Sequence, residues 1–441
     1  MESQTISRKK FIKNSLLMAG TGLLPITSPQ FEQNTQLGDA KKSSVFKNVR
    51  LETGFEFDEN GEVVQTQTDL FLVEIQDGKI KAVLPNKPSA NAVDAKGWLM
   101  LPAFKDMHIH LDKTFYGLPW KAKSPKHRSV KDLIAYEQQI IPELLKTSVP
   151  RSEKLIELLQ SHGTNYARSH VNIDPTSGLD SLKNLQKALA NKKDTFQCEL
   201  VAFPQHGVYY TKSAELMKDA AQMDIDFIGG LDPTSIDGSI EKQMDYIIQL
   251  ALDYKKGIDI HLHERGESGL NTIQYLIEKV MENPTLKGKT FVSHSFALAN
   301  LDANKTEEMA EKLAQAQIGI ASTIPIGGMI MPIPTLYKNG VEVVTGNDSI
   351  VDWWSTFGTG SVLQKANLAA QLYGYRTEFD LSRILKLATG NVLPLDNKGK
   401  QQWPKAGDIA DVVLVEASCS AEAVSRVSPI KSLIHHGKVV F

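Results

Sequence analysis

The sequence predicts a (β/α)8 barrel carrying a small β-domain built from both chain ends. Three observations carry this. Strand-like apolar runs end near His110, Asn172, Gln205, Asp232, His263, His294, Pro325 and Asp348, and helical stretches such as "SIEKQMDYIIQLALDYKK" lie between most of them. Eight such units over roughly 290 residues fit a parallel barrel. Polar residues, histidines above all, gather at the ends of these runs, where barrel enzymes assemble their sites. Finally, both ends of the chain read as strands. A doubly wound open sheet is the alternative, but no G-x-G-x-x-G follows the first strand.

Taken in order, residues 1–44 form an export signal and linker. "SRKKFIK" supplies a basic head, and an apolar run follows from Leu16 to about Ile26. That run is short for a bilayer span and suits a signal segment. The head is similar to a twin-arginine signal with Lys9 in place of the second arginine, so a periplasmic location is expected. An uncleaved anchor and a basic arm are the alternatives. Residues 45–100 read as strands, with "FLVEIQDGKIKAVLP" forming a hairpin around Asp77 and Gly78. The barrel is expected over 101–392. Residues 393–441 return to strands in "GDIADVVLVEA" and "SLIHHGKVVF" and complete the small domain.

The 441 residues, 41% of them hydrophobic, suffice for a large core, and a net charge of −2 gives no reason to expect nucleic acid. Beyond the N-terminal signal no stable membrane span is expected, and a homo-oligomer is left open. The two cysteines, Cys198 and Cys419, make no disulfide framework and are expected to be buried small hydrophobes.

The stretch "GIDIHLHERGESG" alternates Ile258, Ile260 and Leu262 with Asp259, His261 and His263. Period two turns the two histidines the same way and Glu264 the other way. It leaves open a metal site, a proton-transfer site or a polar face. "FKDMHIHLDK" repeats the pattern with His108 and His110, "FVSHS" adds His294, and "VVTGND" adds Asp348. Histidines at strands one, five and six with an aspartate at strand eight suit a mononuclear metal centre. Such a centre needs three or four nitrogen or oxygen ligands and an open position. One divalent ion, Zn2+ or Fe2+, is expected, and "FIGGLDPT" adds no lysine or glutamate to the set. Asp232 in that stretch reads as a turn residue.

These blocks, with "NYARSHVNID", "VAFPQHG" and "TGNDSIVDWWSTFGTGSVLQKANL", resemble the cytosine deaminase-like branch of the amidohydrolase superfamily from about residue 45 to the C-terminus. The resemblance implies a metal-bearing barrel with a β-sandwich. It implies His108, His110, His261 and Asp348 as metal ligands, Glu264 as the proton-shuttling carboxylate and His294 as the histidine that holds the nucleophilic water. It also implies Gln205 as the amide reading the ring edge and Trp354 as a pocket wall. His263 stands where that branch carries an acidic residue and is expected to be structural, as are Arg168 and His170.

The implied chemistry is hydrolytic deamination of a small amino-heterocycle. Asp348 would take a proton from a metal-bound water, the resulting hydroxide would attack an amidine-type carbon, and Glu264 would protonate the ring and assist the leaving ammonia. Three departures touch the substrate-reading shell. Ser349 replaces an acidic residue, Asn347 a histidine and His206 a glutamate. Cytosine itself is therefore not expected to be the preferred ring. The rivals are a cyclic-amide hydrolase on the same scaffold and a non-catalytic exported binding protein, which would have no need of Glu264.

Overall fold

The structure, a computed structural model, describes residues 43–122 and 129–441. The expected export signal falls on residues that lie outside this description. No helix among the described residues is long and apolar enough to cross a membrane.

The chain opens with β1 (Ser43–Phe57), β2 (Val63–Gln76), β3 (Lys79–Pro85), β4 (Val93–Asp94) and β5 (Leu99–Pro102). Asp77 and Gly78 both have positive φ, 51° and 75°, as a two-residue hairpin between β2 and β3 requires. The barrel strands follow: β6 (Phe104–Ile109), β7 (Thr164–Asn172), β8 (Gln197–Phe203), β9 (Phe227–Leu231), β10 (Gly257–Leu262), β11 (Thr290–His294), β12 (Ile318–Ser322) and β13 (Val343–Thr345). β14 (Val412–Val415), β15 (Ile430–His435) and β16 (Lys438–Val439) close the chain. β14 pairs antiparallel with β5, Val413 opposite Leu101, so both chain ends share one sheet. Leu51, Val73, Ile75, Met100, Val412 and Ile434 pack that sheet's core.

The second sheet runs from β6 to β13 in sequence order, each strand parallel to its neighbours. This is the predicted barrel. Its seam is closed between β6 and the residues after β13. There the Asp348 N–H donates to the His108 carbonyl at 2.7 Å, and the His110 N–H reaches the Asp348 carbonyl at 3.4 Å. The backbone of three polar strand-end residues thus knits the barrel shut. Gly346 permits this approach, because a Cβ there would lie 2.3 Å from the His108 carbonyl oxygen.

Alternation places the side chains. In β10, Ile258, Ile260 and Leu262 join the core shared with the helices, leaving Asp259 and His261 for the interior. Lower in the barrel, Val201, Phe227, Phe291, Ala321 and Val344 form an apolar plug. The Arg168 guanidinium lies 4.1 Å from the Phe227 ring and 4.2 Å from the Phe291 ring. It donates to Glu199 at 2.7 Å and to Asp259 at 3.0 Å, so this buried cation is fully paired. Cys419 is buried, whereas Cys198, expected to be buried too, is half-buried at the outer end of β8.

Candidate active site

His108 stands on β6 and His110 immediately past its end, His261 on β10, and Asp348 just past β13. Each offers one ligand atom, and these atoms all lie within 4.8 Å of one another. His108 Nε2 and His110 Nε2 are 3.4 and 3.3 Å from Asp348 Oδ1, and His261 Nε2 is 3.3 Å from His110 Nε2. His294, at the end of β11, has its ring 4.8 Å from that of His108 and 5.1 Å from that of His261.

Period two does not explain the last two members. Ser293 faces the interior, so strict alternation would turn His294 away. A φ of 67° at His294 and 52° at Ser295 breaks the strand and brings the ring inward. Asp348, with φ 65°, is turned in the same way. Residues held in this region cost of order 1–3 kcal/mol and persist where their surroundings over-determine them.

Burial, helped by the Lys113 ammonium, pulls His110 down to about 4. Burial also holds His261 and His294 well below the usual histidine range, so these imidazoles are neutral. For Asp348, burial would raise the carboxyl, but His108 and His110 keep it well below the usual carboxylate range. His108 Nε2 and both ring nitrogens of His294 are buried without a hydrogen-bond partner, and His261 Nε2 faces His110 Nε2 in the cluster. Convergent lone pairs beside an ionised carboxylate fit a divalent cation and leave no other ready partner. The donor set suits zinc and iron alike. A second group, Asp411, His435 and His436, is different. Its His435 Nδ1 is already 3.0 Å from Asp411 and 2.9 Å from the Asn165 amide.

The imidazoles are held from behind. His108 Nδ1 lies 2.9 Å from Ser293 Oγ, and the Ser293 hydroxyl donates to Asp259 Oδ1 at 2.7 Å. His110 Nδ1 is 3.0 Å from the His170 carbonyl. Arg168 in turn fixes Asp259. His170 contributes its carbonyl, while its own ring nitrogens are buried without partners.

A cavity of about 280 Å³ opens over the cluster, walled by Leu231, Gln205, Trp354, His263, Ser349 and Lys113 among others. Gln205, Trp354 and Ser349 are brought together on its wall. Lys113 was not singled out, although it lies in the quoted "HLDK". It is 5% exposed, and its ammonium donates to Gln205 Oε1. One lone pair of the Gln205 carbonyl is therefore taken by Lys113, and its NH2 remains able to donate to a ring edge.

His263 and Glu264 follow β10. The Asp232 carboxylate accepts from the His263 N–H at 2.6 Å and lies 2.9 Å from His263 Nδ1, so Asp232 is more than a turn residue. Burial would pull His263 down, but Asp232 raises it above the ordinary value. Its ring lines the cavity. Glu264 is buried. Its Oε1 accepts from the Ser235 N–H at 2.6 Å, and Oε2 has no partner.

The amidohydrolase family model matches residues 150–441. The chain belongs to that family. The amidohydrolase is 53% identical to the uncharacterized protein YahJ of Escherichia coli (strain K12) over 89% of this chain and 86% of that one. The solved N-isopropylammelide isopropylaminohydrolase of Burkholderia multivorans matches at 27% identity and a TM-score of 0.78, over 90% of this chain and 98% of that one. The 5-methylcytosine deaminase of Klebsiella pneumoniae shares the fold at 24% identity and a TM-score of 0.75, over 90% and 97% of the two chains. This amidohydrolase is a hydrolase of non-peptide carbon–nitrogen bonds.

Proposed function

We propose that this amidohydrolase removes an amine from a small heterocycle, with His108, His110, His261 and Asp348 holding one Zn2+ or Fe2+. The convergence of three imidazoles and a carboxylate under a ring-sized cavity carries the reading. At about 280 Å³ the cavity falls below the usual range for drug-sized ligands, which suits a single ring. A divalent ion bound there supplies Lewis acidity and a water of lowered pKa.

The chain's own residues do the rest. His294, neutral and with both nitrogens unpartnered, orients the attacking water and bonds to the developing charge. Glu264, with Oε2 free, carries a proton to the ring nitrogen. His263 supports a second assignment of that task, because it lines the cavity and Asp232 favours its charged form. Trp354 covers the ring. Lys113 and the Gln205 NH2 both donate, so the ring edge they meet carries acceptors, such as a carbonyl or an oxyanion.

Asp348 and Ser349 also line a second cavity of about 530 Å³, with Ile324, Ile326, Phe357 and Leu368. This favours a second reading in which the leaving group is an alkylamine, as the name of the Burkholderia relative indicates for that enzyme. We further propose that the protein acts in the periplasm. Cell fractionation finding it wholly in the cytoplasm overturns that proposal.

The test is a release assay on metal-reconstituted protein, measuring ammonia and alkylamine from amino- and alkylamino-heterocycles that bear ring oxo groups. Glu264→Gln should keep the metal and lower kcat by roughly 10² or more. If His263→Asn does so instead, the shuttle is His263. If no ring is turned over by metal-loaded enzyme, the deaminase reading falls.

A further inference from the structure

We propose that Glu137 is a positioning residue of the substrate cavity, one buried carboxylate that holds Lys113 and Trp354 together against the bound ring. The proposal rests on the heterocycle reading of that cavity.

Glu137 sits on the helix Val130–Leu145, whose first turn brings Val130 and Leu133 to the cavity wall. Its side chain is 1% exposed and does not line the cavity. Oε1 accepts from the Trp354 indole N–H at 2.9 Å and faces the Lys113 ammonium at 3.8 Å. Oε2 accepts from His206 Nε2 at 2.9 Å, with the Asn172 NH2 at 3.5 Å. A carboxylate has about four lone-pair sites, and here all four face donors. The partners come from four segments of the chain, so the group cannot rotate without breaking contacts on every side.

The far end is tied down as well. His206 Nδ1 faces Asp174 at 3.5 Å. Asp174 accepts from the Thr176 and Ser177 N–H groups and from the Ser177 hydroxyl. Burial would push the Glu137 carboxyl up, but Lys113, His206 and Trp354 leave it below its ordinary value. The Asp174 and Glu137 carboxylates likewise keep His206 charged against its burial. The row of alternating charges, Lys113, Glu137, His206 and Asp174, compensates itself. This accounts for the departure at position 206. The acid arrives on a helix instead of the strand-end loop, and the loop offers a cation to receive it.

The consequence falls on binding. Lys113 and Trp354 touch the ring, and Glu137 fixes where they stand. Without the carboxylate, Lys113 keeps the Gln205 carbonyl but loses its counter-ion, and the Trp354 indole loses its acceptor.

The experiment pairs kinetics with a readout that needs no substrate. Protein labelled with 15N-tryptophan is compared as wild type, Glu137→Gln and Glu137→Asp, with Trp354→Phe assigning the Trp354 indole signal. In Glu137→Gln that signal should move and exchange faster with solvent. KM for the turned-over heterocycle should rise roughly 10- to 100-fold, the effect of losing a charged hydrogen bond, with kcat changed far less. Glu137→Asp keeps the charge and should recover part of both effects, and it serves if the glutamine variant folds poorly. An unmoved indole signal, or a fall in kcat at constant KM, overturns the proposal. If the wild type turns over no heterocycle, the functional reading has failed, and the indole signal still decides whether Glu137 clamps Trp354.

Discussion

Replacing Ser293 by alanine should weaken metal binding although Ser293 is not among the four clustered candidate ligands. An ionised carboxylate is acceptor-only, so the Ser293 hydroxyl must spend its one proton on Asp259. It can then only accept from His108, which places the imidazole proton on Nδ1. Nε2 is left with a lone pair facing the cluster. Arg168, donating to Asp259 Oδ2 at 3.0 Å, holds that carboxylate in place.

Ser293→Ala removes both hydrogen bonds of this chain, strands the His108 proton and frees the tautomer. Losing such an orienting partner typically costs 10- to 100-fold in metal affinity, about 1.4 to 2.7 kcal/mol. Competition against a fluorescent chelator measures it. Ser295→Ala is the control, because the Ser295 hydroxyl bonds the Val292 carbonyl and touches no candidate ligand. An affinity within twofold of wild type in Ser293→Ala, or an equal loss in Ser295→Ala, would refute the argument.

Elemental analysis should find about one divalent ion per chain, lost in His108→Ala and in Asp348→Ala; two per chain would sink the mononuclear centre. Lys113→Met should retain the ion but lower kcat/KM by roughly 10- to 100-fold, since it removes a charged donor to the ring; an unchanged value would mean the ring edge lies elsewhere. Burial opposes the charge on His206, yet Asp174 and Glu137 raise it from 6.5 to about 9. That protonation stabilises the fold fully below pH 6.5 and is lost as pH rises through 9, a change of about 3 kcal/mol. Denaturant unfolding should show this loss in wild type and not in His206→Gln, and parallel pH curves would contradict it. Cytosine should be a poor substrate, with Ser349→Asp shifting preference towards it; a wild-type kcat/KM on cytosine above about 10⁴ M⁻¹s⁻¹ would remove Ser349 as the determinant.

Much of the fold was legible because barrel strands are buried on both faces and therefore read as apolar runs between amphipathic helices. The candidate ligand positions were legible for a related reason. A polar residue inside such a run costs several kcal/mol unless it is paired, so His108, His110 and His261 stand out against their neighbours. Contacts between distant segments were not legible. Nothing local in "AYEQQII" marks Glu137 as the partner of Lys113, His206 and Trp354, because its burial depends on how that helix docks over the barrel mouth. Lys113 was passed over for the same reason, since lysines are mostly solvated and its burial depends on Gln205 and Glu137.

The assignments around β10 show where periodicity stops being informative. Alternation holds while the ladder holds, and the β10 ladder ends at Leu262. His263 and Glu264 lie beyond it, so their directions are set by hydrogen bonds instead. Asp232 accepts from both backbone N–H groups, at 2.6 and 3.2 Å. Its second oxygen holds the His263 ring, and the Ser235 N–H holds the Glu264 carboxylate. Both partners belong to the loop after β9, some thirty residues upstream. A period-two reading can say that one of two adjacent residues faces the site; it cannot say which, once a neighbouring loop supplies the anchors. For this reason the proton shuttle has to be decided by comparing Glu264→Gln with His263→Asn, and the pair separates the two cleanly because each variant leaves the other side chain's own anchor intact.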